Sequence, residues 1–473
     1  MTDDAAYFES KEFQKILKQY ETSVKSEHAV YMDADDLADI ADYYQYYGRT
    51  AEANEAIDLA LKYNPEAVGP LLYKAREAMS QGNYEGAEEY ANRIQAVDSQ
   101  EANYLKGEIM ICQGKAEEAN DFFRQQMNEV MPDEMMDYVY DVANIFSDYN
   151  IHDKAFEWIA RSQGDDSDDF KELMARTLFG LGKYKDSERI FNELIDHDPY
   201  STRYWNALAS AQFMNEDYNA AITSSEYAMA IDPQDAESIL AKANGLFSLN
   251  NYESALTFFQ RYTELVPDDE FGYLHQGTCL INLGRPKEAI QALEKAEQTA
   301  SQDSQYLPET CQELAFAYSE LNNLDSALYY IDKTEHLNCD HINMEVIRGH
   351  ILLSNNKQKE SEAAFKKALQ LSDNAPKTML RIIVSLYDNQ YLHSCYGLFK
   401  NFFKHVGDDW NEGYSYMALC CHDLKKHDEF MYYLEEAVKR NQRESRIVLN
   451  GLFPEGMSPS EYVSYMSNQL NKE

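Results

Sequence analysis

The feature that most constrains this chain is a skeleton that returns every 34 residues. In one copy Tyr204-Trp205-Asn206-Ala207-Leu208-Ala209 leads to Asp217-Tyr218-Asn219-Ala220-Ala221-Ile222 and then to Ala228-Met229-Ala230-Ile231-Asp232-Pro233. One period earlier stand Gly182-Lys183-Tyr184, Phe191 and Pro199; one period later, Asn251-Tyr252, Ala255, Phe259 and Pro267. A unit this short cannot bury its own apolar side, so copies must stack on one another and the core grows along one dimension. Starting points fall near residues 34, 68, 100, 136, 168, 202, 236, 270, 308, 342, 376 and 411, and six of the eleven steps are 34 residues.

Each copy reads as two amphipathic helices separated by a reversal. The reversal carries Gly48, Gly82, Gly114, Gly182 or Gly284 in five copies and Asn150, Asn250, Asn322 or Asn356 in four. Both residue types accept the left-handed backbone that stops a helix. A small residue recurs on the second helix as Ala53, Ala87, Ala119, Ala155, Ala221, Ala255, Ala289 and Ala327, as close helix packing requires. The register is weakest where Met131-Pro132 comes a residue late, where Cys395 takes the small position with Tyr391-Leu392 near the turn, and where Phe430 stands in place of Ala.

This set of positions resembles the tetratricopeptide repeat family. The resemblance implies an all-α, superhelical solenoid of about twelve helix-turn-helix repeats. Residues 1–33 then form an N-terminal capping helix and linker, 34–303 repeats one to eight, 304–444 repeats nine to twelve, and 445–473 a C-terminal capping helix. The caps are legible independently. Phe13, Ile16, Leu17, Tyr20 and Val24 line one helical face, and Ser458-Pro459-Ser460-Glu461 opens a helix whose face carries Tyr462, Val463, Met466 and Leu470. The longest step, 38 residues across 299–305, marks a place for a bend or for a longer surface turn.

Charge narrows the partners. With 42 basic against 82 acidic residues the net charge is −40, which disfavours nucleic acid and anionic membrane and favours a basic protein partner. Residues 377–446 hold ten of each sign and are neutral. A basic, apolar leader is absent from the first residues and no run reaches the ~18 apolar residues of a spanning helix. Seven cysteines in no framework spacing point to a reducing, cytoplasmic setting.

No phosphate loop, nucleophile elbow or metalloprotease motif is present, so no catalytic, cofactor or metal residues are expected. Acidic pairs such as Asp165-Asp166 and Asp268-Asp269 read as helix caps. The groups His336/Cys339/His341 and Cys420/Cys421/His422/His427 lack paired structural-zinc spacing.

In the family the first helix of each repeat lines the concave surface. Carrying its inward positions across puts Asn144, Arg176, Asn244 and His350 at one level and Tyr140, Asn206, Leu240 and Leu274 at another, with Arg203 opening repeat six. Phe179, Phe213 and Phe247 form a row that either packs between first helices or accepts apolar ligand groups. The resemblance thus implies a scaffold or adaptor that binds a peptide or protein on repeats four to eight, as monomer or homodimer. The family's carboxylate clamp is not expected: Tyr140 and Leu240 occupy the places of its Lys ahead of Asn144 and Asn244, and Ala207 that of its later Arg. Self-association through the neutral C-terminal repeats is the alternative, and an enzyme with an unrecognised site a remoter one.

Overall fold

The computed structural model describes residues 8, 10–26, 32–95, 99–162, 164, 166–301, 303–454 and 456–470. Among the described residues there are 27 α-helices and no strand. They divide into two compact units, Met1–Leu249 and Asn250–Glu473.

The first unit begins with helix Lys11–Ser26, followed by the paired helices of repeats one to six. Those that carry the site are Val68–Ser80 and Tyr84–Ile94, Ser99–Cys112 and Ala116–Gln126, Met135–Asp148 and His152–Ile159, Asp168–Gly180 and Tyr184–His197, and Thr202–Met214 and Tyr218–Ile231. Helix Ala236–Ser248 closes the unit. The second unit runs from Tyr252–Leu265 through the pairs that start at Glu270, Leu307, His341, Pro376 and Tyr414. In both, the two helices of a repeat pack against each other, and most first helices also pack against the first helix of an adjacent repeat.

The reversals have a common geometry. All nine expected Gly and Asn residues have positive φ, from 57° to 77°. In eight of these turns the following residue bonds back across the turn, as in Asn83 N–H to Ala78 O at 2.9 Å and Ile151 N–H to Phe146 O at 2.8 Å, which satisfies carbonyls at the helix end. Glu216, Gln390 and Lys425 take the same conformation in repeats six, eleven and twelve. In repeat eleven the turn therefore falls one residue before Tyr391-Leu392.

The eight alanines of the second helices are buried. Where serine replaces alanine, the hydroxyl bonds a carbonyl of the facing helix: Ser187 to Ala175 O at 2.8 Å and Ser361 to Gly349 O at 2.7 Å. Cys395 and Phe430 occupy the small position in repeats eleven and twelve and are buried as well. In repeat three the facing residue is Gly107, because a Cβ there would lie 1.9 Å from the ring of Phe123.

The caps cover the ends. Phe13, Leu17 and Tyr20 are buried against repeat one, while the side chain of Val24 lies outside the described ones. At the far end Ser458 N–H donates to Glu461 at 3.2 Å, and Tyr462 stacks on Phe453 at 3.7 Å. The side chain of Leu470 lies outside the described set. Two details differ from expectation. The first helix of repeat twelve starts at Tyr414 rather than near 411, because Gly413 turns left-handed and its N–H is held by Glu444 at 2.7 Å. An additional helix, Gln442–Leu449, supplies that glutamate ahead of the expected terminal helix Pro459–Leu470. The lengthened step near 300 joins helices Pro286–Thr299 and Leu307–Glu320, which pack together. Asp269 caps its helix by accepting from Phe271 N–H, whereas Asp165 lies outside the described residues.

Candidate functional site

The first helices of repeats two to six carry two clefts. Repeats three and four share a dense core, in which Phe123 meets Phe146 edge-on at 5.8 Å. There Trp158 is fully buried and donates to Asn120 at 2.9 Å. Buried aromatics with satisfied polar ends make such a core rigid.

The first cleft, about 480 Å³, spans repeats two to four. Glu101, Tyr104 and Glu108 stand at i, i+3 and i+7 on one helix, and Asp141, Asn144 and Asp148 repeat that spacing on the next, so both triplets face the same way. The Tyr104 hydroxyl donates to Asp141 at 2.8 Å and the Tyr149 hydroxyl to Glu108 at 3.0 Å. Arg76 approaches Glu108 to 3.7 Å. Burial raises the pKa of Asp141, opposed by the hydrogen bond from Tyr104. Burial likewise raises both tyrosines, with Asp141 and Glu108 reinforcing the effect. The Oδ1 atom of Asn144 is buried in this region with no hydrogen bond.

The second cleft, about 440 Å³, lies on repeats four to six and shares Asp148 with the first. Arg176, Phe179, Phe191, Ala207 and Ser210 give it a more apolar lining. Position 180 is glycine because the His152 ring lies 2.2 Å from where a Cβ would stand. Arg176 pairs with Asp148 at 3.0 Å, and both side chains are about half exposed. Such a pair contributes at most about 1 kcal/mol, so a ligand can exchange for either partner at little cost.

The other expected residues divide by environment. Tyr140 is half-buried and meets Phe170 edge-on, with ring centres 5.3 Å apart. Arg203 is committed to an ion pair with Glu172 of the preceding repeat. Asn206 is only 3% exposed and donates to Asp235 at 2.7 Å. Leu240, Asn244 and Phe247 are half-buried on helix Ala236–Ser248. Leu274 is fully buried, a core residue of the second unit. Phe179 and Phe213 each pack on the tyrosine that opens the second helix of their own repeat, at 5.5 Å from Tyr184 and 5.3 Å from Tyr218, and each remains half-buried. His350, in the second unit, is held by Ser385 at 3.0 Å and Asn389 at 3.3 Å. Of the expected residues, Asn144 therefore lines the first cleft, and Arg176 and Phe179 stand together in the second. It adds Glu101, Tyr104, Glu108, Asp141 and Asp148, whose signal in the sequence is the recurring acidic i, i+3, i+7 pattern.

Comparison with known proteins agrees with this architecture. The tetratricopeptide repeat family matches at residues 38–102, 173–236 and 346–374, and the family described as anaphase-promoting complex, cyclosome, subunit 3 matches at 214–296. A STIP1 homolog of Dictyostelium discoideum is 31% identical over 121 residues, 24% of this chain and 22% of that protein. Anaphase-promoting complex subunit 7 of the same organism is 29% identical over 157 residues, 33% of this chain and 26% of the relative. The matched segments thus span about a quarter of these relatives. Among solved structures, yeast Tom70 aligns over 93% of this chain and 96% of its own, at 13% identity and a TM-score of 0.43. MamA from Desulfovibrio magneticus RS-1 aligns over 37% of this chain and 96% of its own, at 17% identity and a TM-score of 0.34. The repeated helical pairs, their left-handed turns and the three family matches lead to one conclusion: the chain is a tetratricopeptide repeat protein.

Proposed function

We propose that this chain is a protein-interaction scaffold rather than an enzyme, and that it holds an extended segment of a partner protein on the first-helix face of repeats four to six. The carrying observation is the cleft in which the Phe179 ring, the Arg176–Asp148 pair and Ser210 stand side by side. The ring offers apolar area, the ion pair can open toward a carboxylate or an amine of the ligand, and Ser210 can bond a peptide group. Because the cleft is lined by packed helices, with Phe191 buried at its wall, the ordering cost of binding falls on the ligand rather than on the scaffold. That two matched proteins are named as subunits of one multiprotein complex supports a role in assembly.

The test fills or empties the cleft without touching the core. Ser210→Arg and Arg176→Ala should each leave the melting curve nearly unchanged and weaken a partner captured by the wild-type protein about tenfold. If both variants bind that partner as the wild type does, the face is not the site. The reading includes a cytoplasmic location, which rests on the cysteines; fewer than seven free thiols on titration of the denatured, unreduced protein would count against it. Among the described residues no helix is long and apolar enough to cross a membrane.

Self-association is favoured by one observation: Tyr432, in the neutral C-terminal segment, and Ile447, just beyond it, are 59% and 66% exposed. Light scattering of the wild type and of Ile447→Glu distinguishes the two readings, since only a dimer built on that surface would halve its mass on substitution.

A further inference from the structure

We infer that the cleft on repeats four to six takes a tyrosine side chain of the bound segment as its anchor. This rests on the reading that the first-helix face of those repeats holds a partner protein, and it names the residue by which that partner is recognised.

The walls of the cleft are apolar, but at two points they carry polar groups that the fold leaves unserved. Phe179 and Phe191 come from the two helices of repeat five, and Ala207 from the first helix of repeat six. Ser147, near the end of helix Met135–Asp148, lines the same space while only 5% exposed, and its hydroxyl has no hydrogen-bond partner among the described residues. His152, which opens the next helix, is the second point. Its Nδ1 is buried without a hydrogen bond, and its Nε2 edge faces Gly180, where a Cβ would come within 2.2 Å of the ring. A side chain at position 180 would collide with that edge, and glycine leaves it open.

Charge narrows the occupant. The lining carries one cation and one anion, Arg176 and Asp148, paired with each other at 3.0 Å. Being half exposed, they can meet charges that flank the anchor, but the interior holds no unbalanced charge. An ammonium, guanidinium or carboxylate brought inside would lose its water and gain no surplus opposite charge. A purely apolar side chain would fill the walls and seal the Ser147 hydroxyl away from water without a partner. Tyrosine meets both demands: its ring packs on Phe179, and its hydroxyl both donates and accepts, so it can serve the Ser147 hydroxyl and the His152 edge together. Tryptophan brings an N–H donor alone, and glutamine brings little apolar area. The volume, about 440 Å³, is that of a cleft that encloses an aromatic group.

The probe is a set of capped glycine–serine peptides, each with one tyrosine, phenylalanine, tryptophan, glutamine or leucine. They are titrated into the full chain up to millimolar concentration and followed by ligand-observed saturation-transfer NMR. The tyrosine peptide should bind about tenfold more tightly than the phenylalanine peptide, because a site that hydrogen-bonds a hydroxyl rejects the analogue lacking it. Ser147→Ala should reduce that ratio to about twofold, with an unchanged melting curve showing that the variant folds. Ser80→Ala, exposed on the first helix of repeat two, should keep the full ratio. Equal binding of the tyrosine and phenylalanine peptides to the wild type overturns the inference without reference to any variant. So does a ratio unchanged in Ser147→Ala, or tightest binding by the tryptophan or glutamine peptide. If phenylalanine and leucine peptides bind as well as tyrosine and all are lost in Ser210→Arg, the inference fails and the wider reading stands. If no peptide binds, or Ser210→Arg leaves binding unchanged, both fail.

Discussion

Asn144 and His350 occupy the same place on the first helices of repeats four and ten, yet their surroundings differ. His350 is closed off: the next repeat supplies Ser385 and Asn389 to its Nδ1 atom, and Phe316 of the preceding repeat meets the ring edge-on at 5.8 Å. Burial lowers its pKa, which keeps the ring neutral inside this arrangement. Asn144 instead has a buried oxygen without a donor in a cleft of about 480 Å³. A shared position in the repeat therefore fixes the face on which a side chain stands. The neighbouring repeats decide whether that position is consumed by the fold or left for a ligand.

The largest expected effect breaks the closed member. His350→Ala should cost about 2 to 4 kcal/mol in chemical denaturation, since it removes a packed ring and strands the Ser385 and Asn389 partners, and it should leave partner binding unchanged. A cost below about 0.5 kcal/mol, the size of an ordinary surface change, would mean that His350 is as open as Asn144.

The next concerns two carboxylates that also share a place, Asp141 in repeat four and Glu313 in repeat nine. Burial raises both, Glu313 from 4.5 to about 7. A carboxyl whose folded pKa lies above its unfolded one ionises more readily in the unfolded chain, so stability falls as pH rises from 4.5 toward about 7 and the full penalty persists above that. Glu313→Gln should therefore add about 3 kcal/mol at pH 8 and almost nothing at pH 4, read as the difference between the two denaturation series. Equal gains at both pH values would show that ionisation is not the cause. Asp141→Asn should also stabilise at neutral pH, but less, because the Tyr104 hydroxyl already supports its charge.

Smaller still is the turn of repeat eleven. Gln390→Asn should raise stability by about 0.5 kcal/mol, because asparagine tolerates the left-handed conformation better than glutamine. A loss of stability would mean that the Gln390 side chain has a contact that outweighs backbone strain.

These cases also mark what was legible in the sequence. Gly48 and Asn322 announced their turns because residue type and backbone conformation are directly linked. Glu216, Gln390 and Lys425 adopt the same conformation with no such signature, forced by the helices on either side. The burial of Ala53 and its counterparts followed from the period. The site was less legible: the register correctly placed Arg176 and Asn206 on first helices, but it carried no information that Asp148 would pair with the first or Asp235 with the second. Glu108 and Asp141 line one cleft from two repeats, a relation that no single repeat contains.

The central claim is that the open first-helix face of repeats four to six is where the partner sits. A photo-crosslinking amino acid placed at Ser210, beside Phe179, and separately at Arg189, exposed on the second helix of repeat five, tests it in living cells. The account predicts one discrete protein adduct from position 210, diminished by the additional change Arg176→Ala, and none from position 189. The same adduct formed at position 189 and absent at position 210 would contradict it.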